Sequence, residues 1–281
     1  MSEKIYFSKS GKNSFKKQLI NLSTRLHHTV APKHAKNTAK RLFLTPVRTR
    51  NANEAPEGLI AHDLKTDEGV LKLYSLGSGP VWLLTHGWSG SSSQFYPLME
   101  HIAANGYTAV AYDQPGHGDS GGAYGHIPVF VRCLEAVLDH LDDVAGVVAH
   151  SMGTAATLEC RHAKIAECPL LLIAPVLDYL DNLFGSVARS GYSMKLFQEV
   201  VEDVAAQYHY PIHIIDPYQH LMNRKSPTYI VHDEKDRFTK YSVSKKAAQE
   251  SDEVTLLTTH GQGHGRVMKC PEVMEAFSRL M

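Results

Sequence analysis

The sequence predicts an α/β protein with a mostly parallel sheet covered by helices on both faces. Three observations predict it. From about residue 81 onward, short apolar runs alternate with helical stretches. Some runs, such as Val81-Trp82-Leu83-Leu84-Thr85, are continuously apolar, as strands buried on both faces are. Strands separated by helices imply right-handed crossovers, which leave the sheet covered on both sides. A length of 281 residues with 43% hydrophobic residues allows one large α/β domain or two small ones, with a sizeable core.

The elements follow in order. Phe15, Leu19, Leu22 and Leu26, with Ile20, recur at helical spacing, and basic residues fill much of the rest. Pro32 breaks that pattern. A second short helix is expected from Lys33 to Phe43, ended by Thr45-Pro46. Residues 49–57 read as a polar linker. The arm and linker therefore span 1–57, and the main domain spans 58–281. Strands are expected at Val70–Ser75, Val81–Thr85, Tyr107–Tyr112, Gly146–His150, Leu170–Ile173, Thr228–Val231 and Val254–Leu257. Helices are expected at Gln94–Ala104, Pro128–Leu141, Thr154–Lys164, Val243–Glu250 and Glu272–Leu280. The runs before residue 81 would add antiparallel strands at one edge. Residues 176–226 break the rhythm directly after a strand end, and hold a helical stretch at Met194–Ala206. Parallel sheets bind ligands beyond the carboxyl ends of their strands. An insertion leaving that edge is expected to form a helical cap.

The formal net charge of zero hides an asymmetry. Residues 1–50 hold twelve Lys or Arg against one acid, Glu3, so the rest of the chain is strongly acidic. The arm has few aromatics and no nucleic-acid motif, so no nucleic acid is expected. Its expected partners are the acidic body of its own chain or an anionic membrane. No run of about 18 apolar residues predicts a membrane span, and the first residues lack the apolar stretch of a secretory signal, so none is expected. Cys133, Cys160, Cys168 and Cys270 are spaced for neither a metal site nor a disulfide framework, so they are expected as reduced thiols of a cytoplasmic protein. His27, His28 and His34 match no metal-site spacing and are expected on a solvated helix face. Nothing in the composition points to a particular oligomeric state.

The chemistry concentrates at strand ends. In Ala149-His150-Ser151-Met152-Gly153, small residues flank a serine two positions away on each side, between a strand and a helix. That spacing suits a serine on a sharp strand-to-helix turn. A serine hydroxyl needs a base within reach, and the base needs an orienting acid. His264, in Gly261-Gln262-Gly263-His264-Gly265, is the candidate base. Asp236, after the Thr228–Val231 strand, is the candidate acid. Asp233 and Glu234 share its loop, and Asp178 follows another strand end. Backbone N–H groups of Met152 and of Trp88, in His86-Gly87-Trp88-Ser89-Gly90, are the candidate donors to an oxyanion.

These motifs resemble the α/β-hydrolase superfamily, in its capped, single-domain, serine esterase-like form. The resemblance rests on His86-Gly87-Trp88, on Asp113-Gln114-Pro115-Gly116-His117-Gly118-Asp119-Ser120, on the turn around Ser151, on the loop ending at Asp236, and on Gly263-His264. It covers about residues 70–281. It implies Ser151 as nucleophile, Asp236 as acid, His264 as base, Trp88 and Met152 as oxyanion donors, and no metal or organic cofactor. The implied substrate is a small-molecule ester or thioester. Lactone, amide and carbon–carbon bond hydrolysis use the same triad, and a silent binding protein on the same fold is the reading from another class. Ala149 and Thr154 stand where glycine is frequent in the family.

Other residues have plainer roles in this reading. His150 packs beside the turn, while His86, His117, Asp113 and Asp233 order their loops. Tyr179, Leu180, Leu183, Phe184, Tyr192 and Phe197 line either an acyl pocket or the insertion's own core.

Overall fold

A computed structural model describes residues 14–281. Expectations for the first thirteen residues lie outside the described residues. Helices α1 (Ser14–Val30) and α2 (Pro32–Leu44) open the described chain, with Pro32 at the first position of α2, where its missing N–H costs nothing. Next come β1 (Ile60–Thr66), β2 (Gly69–Gly77), β3 (Val81–Thr85), α3 (Tyr96–Ala104), β4 (Thr108–Tyr112), α4 (Ile127–His140) and β5 (Val144–His150). They are followed by α5 (Met152–Glu159), α6 (Ala163–Ala166), β6 (Leu170–Ile173), α7 (Tyr179–Ser190), α8 (Met194–Tyr208) and α9 (Pro217–Met222). The chain ends with β7 (Thr228–Asp233), α10 (Tyr241–Glu250), β8 (Val254–Thr259), α11 (Gly263–Arg266) and α12 (Pro271–Leu280). No helix among the described residues is long and apolar enough to cross a membrane.

One sheet holds all eight strands, in the order β1-β2-β4-β3-β5-β6-β7-β8. The pairs β1–β2 and β2–β4 are antiparallel, and every other pair is parallel. The sheet is thus mostly parallel, with antiparallel pairing at the β1–β2 edge, where β2 runs against the other strands. All four residues of β6 are buried, as its unbroken apolar run requires. Trp82, Leu84, Met99, Ile102, Val148, Ile173 and Phe277 belong to a core that joins the sheet to α3 and α12.

The described chain divides into two compact units. One combines residues 14–45 with Tyr179–Ile215; the other holds Pro46–Asp178 and Asp216–Met281. In the first unit, Ala35, Ala39 and Phe43 of α2 meet Val187, Tyr192, Leu196, Phe197 and Val200 of the inserted segment. Phe43 packs edge-on against Tyr192 and Phe197, with ring centroids 4.8 and 4.9 Å apart. Tyr192 and Phe197 are therefore core residues here, with Leu183 and Phe184 packed against them. The basic arm meets acids of the same unit: His28 Nε2 lies 3.0 Å from Glu199, and Lys36 Nζ lies 3.1 Å from Asp203.

Two boundaries differ from the expected ones. Residues expected as a linker are tied to the sheet unit, where Arg50 pairs with Asp119 at 3.1 Å and Asn53 donates to the carbonyl of Ser93; just before them, Arg48 donates to the carbonyls of Gly118, Ser120 and Gly122. Helix α9, expected within the insertion, packs instead against α5 and α10.

Candidate active site

The sheet leads the chain into the site at the carboxyl end of β5. Ser151 follows that strand with φ 51° and ψ −123°, and α5 begins at the next residue. A left-handed φ on a non-glycine residue costs about 1–3 kcal/mol, and persists only where the surroundings over-determine it. Here they do. Ser151 N donates to Ile173 O at 3.0 Å. A Cβ on Gly153 would stand 2.5 Å from Thr85 O and 2.7 Å from His86 O, so α5 enters hard against the end of β3. Thr154, where glycine is frequent in the resembling family, donates from Oγ1 to Ser151 O at 2.6 Å and accepts from Val176 N at 3.0 Å. The threonine thereby clamps the turn.

His264 arrives from the loop after β8, which turns through φ 76° at Gly261 and 64° at Gly263. Its Nε2 lies 2.8 Å from Ser151 Oγ, and its Nδ1 lies 2.7 Å from Asp236 Oδ2. With Nδ1–H donated to the carboxylate, Nε2 is the ring's lone-pair nitrogen and faces the serine hydroxyl. The Asp236 side chain is fully buried. Burial alone would raise its carboxyl, but hydrogen bonds from His232 and His264, and from the Phe238 amide, outweigh that effect. They hold it well below the usual carboxylate range, so Asp236 stays ionised beside the imidazole.

His232 carries no motif that marks it in the sequence. It is fully buried at the end of β7, with Nε2 3.4 Å from Asp236 Oδ2. Its Nδ1 lies 2.8 Å from Ser244 Oγ, and Thr239 Oγ1 bridges it to Asp236 at 3.1 and 3.0 Å. The only sequence signal was its place four residues before Asp236 at a strand end.

The rival acids are occupied elsewhere. Asp178 pairs with Lys240 at 2.6 Å, and Glu234 with His260 at 3.2 Å. Asp233 accepts from Lys235 N, Thr259 Oγ1 and Gln262 N, which shapes the loops around the site. Asp113 orders its own loop by accepting from Ser92 N and Oγ and from Asp119 N. His86 does the same through Gly87 O and Gln114 N, and His117 through Pro115 O.

His150 packs beside the turn, with its ring centroid 5.0 Å from that of His264, and its Nε2 donates to His264 O at 3.1 Å. Burial, then the nearby His264, lowers its pKa to about 3, so it stays neutral and holds the His264 backbone by hydrogen bonding. The Phe238 ring also lies beside His264, with centroids 5.1 Å apart.

Two N–H groups stand available near the serine. Met152 is the first residue of α5, so its N–H has no carbonyl within the helix to reach. The Trp88 N–H makes no hydrogen bond among the described residues. The loop that carries it runs close to the turn, since a Cβ on Gly87 would stand 2.6 Å from Ser151 Cβ and 3.2 Å from Met152 N. No group of three or more His, Cys, Asp or Glu able to hold a metal ion occurs among the described residues. His27 and His34 instead hydrogen-bond each other at 2.8 Å.

A profile of the alpha/beta hydrolase family matches residues 82–277. The chain belongs to that family. A curated relative, a Mycobacterium phage D29 protein named as a non-heme haloperoxidase, is 29% identical over 150 residues, covering 50% of this chain and 54% of the relative. The match thus spans about half the relative's length. Among solved structures, an esterase of Pyrococcus furiosus has a TM-score of 0.63 at 22% identity, covering 85% of this chain and 98% of that one. Est1E of Butyrivibrio proteoclasticus, solved with ferulic acid bound, has a TM-score of 0.59 at 16% identity, covering 78% and 99%. Both likenesses concern the fold.

Proposed function

We propose that the protein is a serine hydrolase of carboxylic esters that works through an acyl-enzyme. The observation that carries this reading is the unbroken hydrogen-bond path from Ser151 Oγ through His264 to Asp236, at 2.8 and 2.7 Å. In this mechanism Ser151 Oγ attacks the ester carbonyl while His264 Nε2 takes its proton. Asp236 fixes the tautomer and stabilises the imidazolium. The carbonyl oxygen gains negative charge and accepts hydrogen bonds from the N–H groups of Trp88 and Met152. The tetrahedral species collapses, and His264 returns the proton to the leaving alkoxide, which departs as the alcohol. Water then gives its proton to the same nitrogen and attacks the acyl-enzyme. Ser151 is regenerated and the carboxylic acid leaves. Every atom transferred comes from ester, serine or water, so no step calls for a metal or an organic cofactor.

Thioesters, lactones and amides present the same electrophilic carbonyl, and an ester and thioester panel ranks them. The assignment to Ser151 is tested with a short-chain p-nitrophenyl ester. Ser151→Ala is expected to fold like the wild type and to lose at least about 10³-fold in kcat/KM. Wild-type-like turnover by that variant would remove Ser151 from the chemistry.

A further inference from the structure

Helix α1 turns its apolar side outward. One side of the helix is held within its own unit: Ile20 packs on the core, Thr24 Oγ1 accepts from Ser193 N at 3.1 Å, and His28 pairs with Glu199. At about 100° per residue, the opposite side presents Phe15, Leu19, Leu22, Leu26 and Val30. These five are 77, 56, 66, 60 and 76% exposed. They form one stripe about 22 Å long, at about 1.5 Å per residue. Single exposed apolar residues are ordinary, but a continuous stripe of large ones marks an interaction surface.

The charges beside the stripe favour one occupant. Lys16 and Arg25 flank it on either side by the same helical geometry, within a segment of twelve Lys or Arg and one acid over residues 1–50. Long basic side chains can lay their stems along apolar surface while their heads reach outward. A second copy of the helix would set cations against cations. An anionic lipid surface accepts both features, with acyl chains for the stripe and headgroups for the cations.

We propose that α1 docks the protein on anionic lipid bilayers, lying in the interface with Phe15, Leu19, Leu22, Leu26 and Val30 turned to the acyl region. The docking is peripheral, and it stands independently of the ester chemistry.

Flotation of the full chain with lipid vesicles tests it. Wild type is expected to float with phosphatidylcholine vesicles containing about 30% phosphatidylglycerol, and far less with phosphatidylcholine alone. About 0.5 M NaCl should weaken the binding. Leu22→Glu with Leu26→Glu should cut the bound fraction about tenfold or more, and Lys16→Gln with Arg25→Gln should remove the preference for anionic lipid. Leu22→Gln with Leu26→Gln serves as a milder pair. Unchanged circular dichroism and thermal midpoint show that each variant folds. The proposal is overturned if wild type stays with the unbound fraction, or if the stripe variants float equally well. It is also overturned if sedimentation shows a dimer that the stripe variants convert to monomer, since the stripe then covers a second copy.

Discussion

Ser151, His264 and Asp236 were legible in the sequence because each sits in a motif at a strand end, and the structure brings their side chains within hydrogen-bonding distance. His232 was not legible. Its meaning comes from contacts with Asp236, Thr239 and Ser244 that depend on how the chain folds after β7. The buried histidines also give the protein a pH dependence. His150 has its pKa lowered to about 3 by burial and by His264, and burial lowers that of His86 too. An unfolded histidine takes up its proton near pH 6.5. Between about pH 6.5 and 3 the unfolded chain therefore binds a proton that folded His150 refuses, and stability falls as pH falls. One such group contributes at most about 1.4 kcal/mol per pH unit. Asp236, held below the usual carboxylate range, adds to the loss below about pH 4. Urea unfolding between pH 7 and pH 4 should show a declining midpoint, with a shallower decline in His150→Gln. An equal slope in the variant would show that His150 does not set this pH dependence.

At the scale of elements, the central strands were readable because β3 and β6 are unbroken apolar runs. Helix bounds shift by a few residues from the expected ones, and α5 and α3 do so for reasons outside the local periodicity. The helix expected over Thr154–Lys164 ends at Glu159, because Cys160 is extended at ψ 130° and His162 caps a separate turn by accepting from Lys164 N. The one expected from Gln94 begins at Tyr96, after a 3₁₀ turn over Ser92–Phe95. That turn is held by Asp113, 21 residues away, which no local pattern reveals. The junction of β5 with α5 is the least forgiving element. Gly153→Ala would press a methyl group onto the backbone oxygens of Thr85 and His86. Overpacking of this kind costs about 1–3 kcal/mol. Chemical denaturation should show that loss, together with a fall in ester turnover as the turn is displaced; wild-type stability would contradict the close approach.

For the whole molecule, a mostly parallel sheet with antiparallel pairing at one edge was within reach of the sequence, but the strand order and the division of the chain were not. The first unit joins an amino-terminal pair of helices to a segment more than a hundred residues later, through Phe43, Tyr192 and Phe197. Nothing in the spacing of apolar residues links those two stretches. The charge asymmetry carried a trace of the link, since Lys36 of the arm meets Asp203 of α8. Phe43→Ala should cost about 3–5 kcal/mol in that unit, as removal of a buried aromatic does. A transition at reduced temperature in calorimetry is the expected result, and an unchanged thermogram would show that the ring does not hold the unit together.

In the proposed mechanism Ser151 is a nucleophile activated by His264 and Asp236. A fluorophosphonate probe reads it directly, because only an activated serine is phosphonylated at a useful rate. Incubation of the full chain followed by peptide mass spectrometry should place the label on Ser151, with none in Ser151→Ala and strongly slowed labelling in His264→Ala. An unlabelled wild-type chain, or a label on another serine, would contradict that role for Ser151.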